Sequence, residues 1–336
     1  MKLLSKAILL AGVAAGLYAG IARADSLADL KAHYVRPADI PFPANDPYSD
    51  AKYELGRRLF FDPRISGSQV TSCATCHNPA LNWGDGLAKG VGASHQALPR
   101  KTPTILNLAW DSLYFWDGRA ASLEQQALMP IEAPGEMNMT HQAMIGRLDD
   151  IEAYRDLFAQ AFPGQPVTKE AVGQALATFE RKQVSGMAPF DRWIAGDDKA
   201  ISPAAQRGFL LFNGKANCAA CHSGWNFSDG SFHDIGLPDQ DIGRGKQLPM
   251  LASMQHAFKT MGLRNIAERY PYMHDGSLPT LEAVIDHYDG KFARRASLDD
   301  FMKPIGLTPP EKADLVAFLR SLTSRDRPVV IPVLPR

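Results

Sequence analysis

Cys73-Ala74-Thr75-Cys76-His77 and Cys218-Ala219-Ala220-Cys221-His222 decide how this 336-residue chain is read, because all four of its cysteines lie in these two runs. In each run two residues separate the cysteines and a histidine follows directly, the pattern of covalent haem attachment. Each thiol forms a thioether with one haem vinyl, and the adjacent imidazole then lies beneath the iron as proximal ligand. A single four-thiolate zinc site, or a pair of redox-active dithiols, would use the same cysteines. Neither requires a histidine after both pairs, so two covalently bound c-type haems are the expected cofactors.

Working outward, a similar segment precedes each run. Glu54-Leu55-Gly56-Arg57-Arg58-Leu59-Phe60 places apolar residues at helical spacing, and the chain then turns through Asp62-Pro63 and Gly67. Gln206-Arg207-Gly208-Phe209-Leu210-Leu211-Phe212 repeats the pattern, with Asn213-Gly214 as the turn. One unit is used twice. Thr168 to Arg181 carries Ala171, Val172, Ala175, Leu176 and Phe179, a stripe that predicts a helix burying a single face. Thr308-Pro309-Pro310-Glu311 reads as a capping box, and Leu315, Val316, Phe318, Leu319 and Leu322 follow as a buried stripe. The fold class is therefore mainly α, with two cytochrome c-like haem domains in tandem. Turn residues from Gly196 to Ser202, then Pro203 at a fresh helix start, set the boundary near residue 200. This assigns residues 25–200 to the first domain and 201–336 to the second. Three prolines keep the tail from Arg327 to Pro335 extended along the surface.

At the other end, Lys2 and Lys6 precede an apolar stretch from Ala7 to Ile21, and Ala22-Arg23-Ala24 offers a signal-peptidase site. Residues 1–24 are thus expected to be a cleaved secretory signal, which places the protein in the periplasm. No later segment has membrane-spanning length, so no membrane insertion is expected after cleavage. The whole chain balances 36 basic against 36 acidic residues, and removing Lys2, Lys6 and Arg23 leaves 33 against 36. That balance predicts neither nucleic-acid binding nor a polybasic membrane contact.

Longer blocks make the chain, from about Asp46 to Leu322, resemble the bacterial di-haem cytochrome c peroxidases and their methylamine-utilisation (MauG-like) relatives. They include the stretch from Pro99 to Asn107, Phe115-Trp116-Asp117-Gly118-Arg119-Ala120, Glu136-Met137-Asn138, Phe190-Asp191-Arg192-Trp193, Gly262-Leu263-Arg264-Asn265 and the stretch from Pro271 to Ser277. The resemblance implies a first haem that binds peroxide and a second that exchanges electrons with the outside. Trp116 matches the family's tryptophan between the haems, an aromatic bridge for electron transfer. Gln126, Pro130 and Glu136 match the distal pocket over the first haem. A carboxylate there moves a proton between the peroxide oxygens, and an amide holds the bound oxygen.

Departures from the conventional peroxidases narrow the branch. Their closing histidine, six residues before the proline matched by Pro99, is Ala93 here, with His95 two residues on as the residue that a loop shift would bring into play. The first haem then has His77 alone and an open face. The conventional methionine ligand of the second haem is replaced by Tyr288, as in the MauG-like branch, so His222 and Tyr288 are the implied pair. Met273, His274, His287 and Met302 are rival ligands. His287 would point about 100° from Tyr288 on a helix, so only one of the two can face the iron. An anionic phenolate favours ferric and higher states. The implied activity is reduction of hydrogen peroxide, with the oxidising equivalents shared between the haems as a bis-ferryl state. A small redox protein or residues of a protein substrate would return the electrons. A conventional cytochrome c peroxidase and a di-haem electron carrier are the rival readings. The family commonly holds calcium between its haems, using an asparagine at the position of Lys101 and carbonyls near Arg269 and Pro271. An ammonium cannot ligate a cation, so an altered or ion-free site is expected.

Overall fold

In the computed structural model, which describes residues 26–326 and 329–336, each attachment run follows a long amphipathic helix, as the repeat predicts. The expected signal peptide, residues 1–24, and Arg327-Pro328 of the tail lie outside the described residues. The helices are α1 (Leu27–Ala32), α2 (Asp50–Phe61), α3 (Cys73–Cys76), α4 (Leu123–Glu132), α5 (His141–Asp149), α6 (Glu152–Ala161), α7 (Lys169–Arg181), α8 (Pro189–Ile194), α9 (Pro203–Asn213), α10 (Leu281–Tyr288) and α11 (Pro309–Ser321). Strand is confined, among the described residues, to an antiparallel pair of β1 (Phe232–His233) and β2 (Phe258–Lys259). The chain is mainly helical.

In the first half α2 packs on α7, and in the second α9 packs on α11. Both crossings depend on a glycine of the repeat. A Cβ on Gly56 would stand 1.9 Å from the Ala175 carbonyl oxygen of α7, and one on Gly208 would stand 2.1 Å from that of Asp314 in α11. Nonbonded carbon contacts need about 3.5–4.0 Å, so only glycine permits the approach. Gly56→Ala and Gly208→Ala are each expected to cost about 1–3 kcal/mol of unfolding free energy, read from urea unfolding followed by circular dichroism. A loss below about 0.5 kcal/mol, the range of surface substitutions, would show that the crossings tolerate a methyl group.

The first core gathers Leu55, Leu59, Phe60, Leu176 and Phe179; the second gathers Phe209, Phe212, Phe227, Leu315 and Phe318. α7 departs from the one-faced helix that its stripe predicts. From Ala171 to Arg181 every residue but Gln174 is buried, because α2 and α4 both cover it. The capping box of α11 forms as expected, with Thr308 N donating to Glu311 Oε2 at 2.7 Å. Packing crosses the boundary drawn near residue 200. Tyr34, Phe190 and Trp193 all lie in the second core, and at the far end Arg57 donates to the carbonyl of Val330 at 3.0 Å. Residues 329–336 carry no helix, and Val330 and Ile331 are exposed, consistent with an extended tail.

The duplication extends well beyond the attachment runs. Tyr114 bridges to Ala120 and Tyr272 to Leu278, closing two similar loops whose second residues, Phe115 and Met273, have φ of +66° and +73°. Trp116 and His274 occupy equivalent places in these loops. Lys101 N donates to the His274 carbonyl at 2.7 Å, and Lys259 N donates to the Trp116 carbonyl at 2.8 Å. Asn107 reaches Asn226 at 3.0 Å, and its counterpart Asn265 reaches Asn82 at 2.8 Å. The halves therefore meet across a pseudo-two-fold interface in which a bond from one half is answered by its counterpart from the other.

Candidate haem centres and the interface between them

His77 caps the C-terminus of α3, and its Nδ1 donates to the Trp83 carbonyl at 3.2 Å. His222 repeats the arrangement, with Nδ1 donating to the Phe227 carbonyl at 2.8 Å. A carbonyl can only accept, so the proton sits on Nδ1 and the lone pair is left on Nε2, the tautomer a metal requires. Burial lowers the pKa of both imidazoles, which keeps them neutral. Burial also pushes the Cys76 thiol up to about 11 and Cys218 up to about 12, with Cys73 raised as well. These are the opposite of the low-pKa thiols of reactive dithiols. Cys73 packs against the first core and Cys218 against the second, and none of the four is in a disulfide. Two separate thiol pairs, each with a neutral imidazole, fit two c-type haems and exclude a four-thiolate zinc site.

A cavity of about 290 Å³ opens beside the second run, lined by Cys218, Cys221, His222 and Tyr288, with Trp116 and Lys101 also on its wall. α10 ends at Tyr288. Burial raises the pKa of this phenol, and the sulfurs of Cys218 and Cys221 push it the same way, so the ring lies within electrostatic reach of both. The neighbouring His287 is buried elsewhere, with Nε2 donating to the Ile235 carbonyl at 2.8 Å. Met273, His274 and Met302 share the cavity wall with Tyr288. His233 also lies near Cys221, but its nitrogens are held by Asp229 at 2.9 Å and Asp299 at 2.6 Å. The bond to Asp229 is the largest of several causes that raise His233 to about 11, making it an imidazolium and not a metal ligand.

Around the first run, Gln126 and Pro130 are one turn apart on the same face of α4. Pro130 has no N–H to give to the Gln126 carbonyl, and its own carbonyl accepts from Met137 N at 3.2 Å. The chain thus folds back beyond α4 and brings Glu136 to the attachment run. Its charge acts on both Cys73 and Cys76. Burial raises the Glu136 pKa, partly opposed by Arg119. Ala93 N donates to the Glu136 carbonyl at 2.7 Å, while His95 sits exposed two residues on. The structure adds a carboxylate that sequence reading passed over. Glu180 is 5% exposed, its Oε2 is buried without a partner, and burial pushes it up to about 8. It acts electrostatically on Cys73. An acid beside Phe179 of the apolar stripe was the available signal.

Trp116 lies on the interface. Its Nε1 donates to the Lys101 carbonyl at 2.8 Å within the first half, and its ring meets His274 of the second edge-on, with centroids 6.3 Å apart. Lys101 is buried, and its Nζ donates to the Leu87 carbonyl at 3.1 Å.

Residues 50–199 match the family described as di-haem cytochrome c peroxidase, and residues 205–323 match cytochrome c. The methylamine utilization protein MauG of Methylorubrum extorquens is 52% identical over 312 residues, covering 92% of this chain and 88% of that protein. The protein of the same name from Methylophilus methylotrophus is 48% identical, covering 90% and 91%. Among solved structures, a MauG-like protein associated with microbial copper homeostasis superposes with a TM-score of 0.79 at 31% identity, covering 86% of this chain and 93% of that one.

Proposed function

The chain belongs to the di-haem cytochrome c peroxidase family and is an oxidoreductase, and from this premise we propose that it is an exported, MauG-like peroxidase working in the periplasm. When bound at the two attachment runs, the c-type haems supply the redox chemistry by which hydrogen peroxide takes two electrons and two protons and becomes two waters. The chain's own residues direct it. His77 holds the peroxide-binding centre alone, with Ala93 where a closing histidine would stand. Glu136 would take the proton from one peroxide oxygen and return it to the departing one, and the Gln126 amide would orient the peroxide by hydrogen bonding, with Pro130 beside it on α4. Trp116 carries electrons between the centres, and His222 with Tyr288 holds the second. The calcium position of the family is altered here, because the Lys101 ammonium stands where a neutral ligand would be needed. A small redox protein or a protein substrate returns the electrons.

The observation that carries this reading is that Tyr288 and His222 share one cavity wall while His287 is committed to a backbone carbonyl. Electron paramagnetic resonance of the ferric holoprotein is expected to give one high-spin and one low-spin haem. In Tyr288→Phe only the low-spin signal should change. Two low-spin haems in the unaltered protein would leave an electron carrier, and a low-spin signal that survives Tyr288→Phe would transfer the ligand role to Met302 or Met273.

A further inference from the structure

The pseudo-two-fold interface contains two equivalent places for buried charge, and they are filled differently. Lys259 and Lys101 each precede the interface asparagine of their half, Asn265 and Asn107, by six positions, and Arg269 and Asp111 follow those asparagines by four. In one place Lys259 of the second half forms a buried ion pair with Asp111 of the first. In the other, Lys101 of the first half and Arg269 of the second line the same cavity, and the guanidinium's charge acts on the ammonium. One place holds a cation and an anion; its counterpart holds two cations.

Among the described residues the second place has only Asp85 as an attracting carboxylate, without an ion pair. Lys101 is 8% exposed and its Nζ has a single carbonyl partner, Leu87. Arg269 donates through Nη2 to the Gly262 carbonyl, while its Nε is buried without a partner. Among the described residues neither forms an ion pair. The carboxylate of Asp85 attracts Lys101 through space without pairing with it, and its oxygens accept from Thr102 Oγ1 at 2.6 Å and Leu87 N at 2.9 Å. A buried ammonium beside a half-buried guanidinium, neither of them ion-paired, is costly unless an anion joins them. Both line the cavity that also holds Cys218, Cys221 and His222.

We propose that Lys101 and Arg269 form a carboxylate clamp, and that its ligand is a propionate of the c-type haem attached at Cys218 and Cys221, a choice that rests on the di-haem reading above. One cation comes from each half, so seating this haem ties the halves together. The Lys101 carbonyl holds Trp116 Nε1, which makes Lys101 a positioning residue for the tryptophan between the centres.

The test uses the holoprotein, with covalent haem counted by the pyridine haemochrome and each centre titrated spectroelectrochemically. Lys101→Gln and Arg269→Gln remove positive charge beside a propionate, which disfavours the ferrous state. Each is expected to retain two haems and to lower the equilibrium constant for reducing the second haem on the order of tenfold, with Arg269→Lys close to the unaltered protein. Loss of the second haem in Arg269→Gln, rescued by Arg269→Lys, supports the clamp equally. Unchanged potentials in both glutamine variants, with two haems present, overturn it. So does a potential of the unaltered protein that moves on adding acetate, because the clamp would then serve free carboxylates. Fewer than two haems in the unaltered protein would instead overturn the di-haem reading.

Discussion

Cys218→Ser combined with Cys221→Ser is expected to halve the covalent haem content, from two to one per chain, and to lower the melting temperature of the second half sharply. Phe212, Leu281, Ile285, Leu315 and Leu319 line the cavity beside these sulfurs. They would border the cofactor when it is bound. An unfilled apolar cavity costs about 24 cal/mol per Å³, so leaving about 290 Å³ empty among these buried side chains removes on the order of several kcal/mol. That is a large share of the roughly 5–15 kcal/mol that holds a domain folded. The matching pair of substitutions, Cys73→Ser with Cys76→Ser, should also leave one haem but spare the second-half transition, because Cys73 packs against the other core. Haemochrome counting and differential scanning calorimetry read both outcomes. Two covalent haems in either double variant would refute the attachment assignment.

Glu136→Gln is expected to reduce peroxide turnover by about 100-fold or more, the usual worth of a positioned acid–base group. Glutamine keeps the shape and the backbone bond from Ala93, but cannot accept and return a proton. The pH profile provides an independent readout. Burial raises the Glu136 pKa, so the carboxyl stays protonated to a higher pH than an ordinary glutamate. As the base that takes the first peroxide proton it must be ionised. kcat/KM should therefore rise with pH through an acid limb lying above the ordinary glutamate value of about 4.3. The limb should vanish in Glu136→Gln. Turnover within twofold of the unaltered protein, with the limb intact, would move the proton-transfer role to another group, and Glu180 is the buried carboxylate then to be replaced.

Much of this was legible from local pattern. Spacing within five residues marks each run as an attachment motif with a histidine placed as its proximal ligand, because covalent attachment is a short-range constraint. The helices before each run were legible because a buried stripe must repeat at the helical period, and the Thr308–Glu311 capping box because it closes within one turn. The stripe of Thr168 to Arg181 predicts one buried face whereas α2 and α4 cover α7, because a stripe reports the most apolar side of a helix and not how many neighbours cover the others. Glu180 is buried on α7 for the same reason, which no stripe reveals. The boundary near residue 200 divides the sequence but not the packing, since Tyr34 and Trp193 return to the second core through contacts that no local composition reveals.

What the sequence by itself determined is two attachment runs, each with a histidine directly after it, and the helical unit used twice to carry them. What only the tertiary structure decided is how those units face each other. Which residue of the pair His287 and Tyr288 lines the cavity depended on Ile235 offering a carbonyl from a distant segment. That Lys259 finds Asp111 while Lys101 meets Arg269 depended on the interface, where charges far apart in the chain are brought together out of water. In water the separation of those charges along the chain would have left them indifferent to one another. Buried at low effective dielectric they are not, and the imbalance at the second place carries information that no motif in the chain contains.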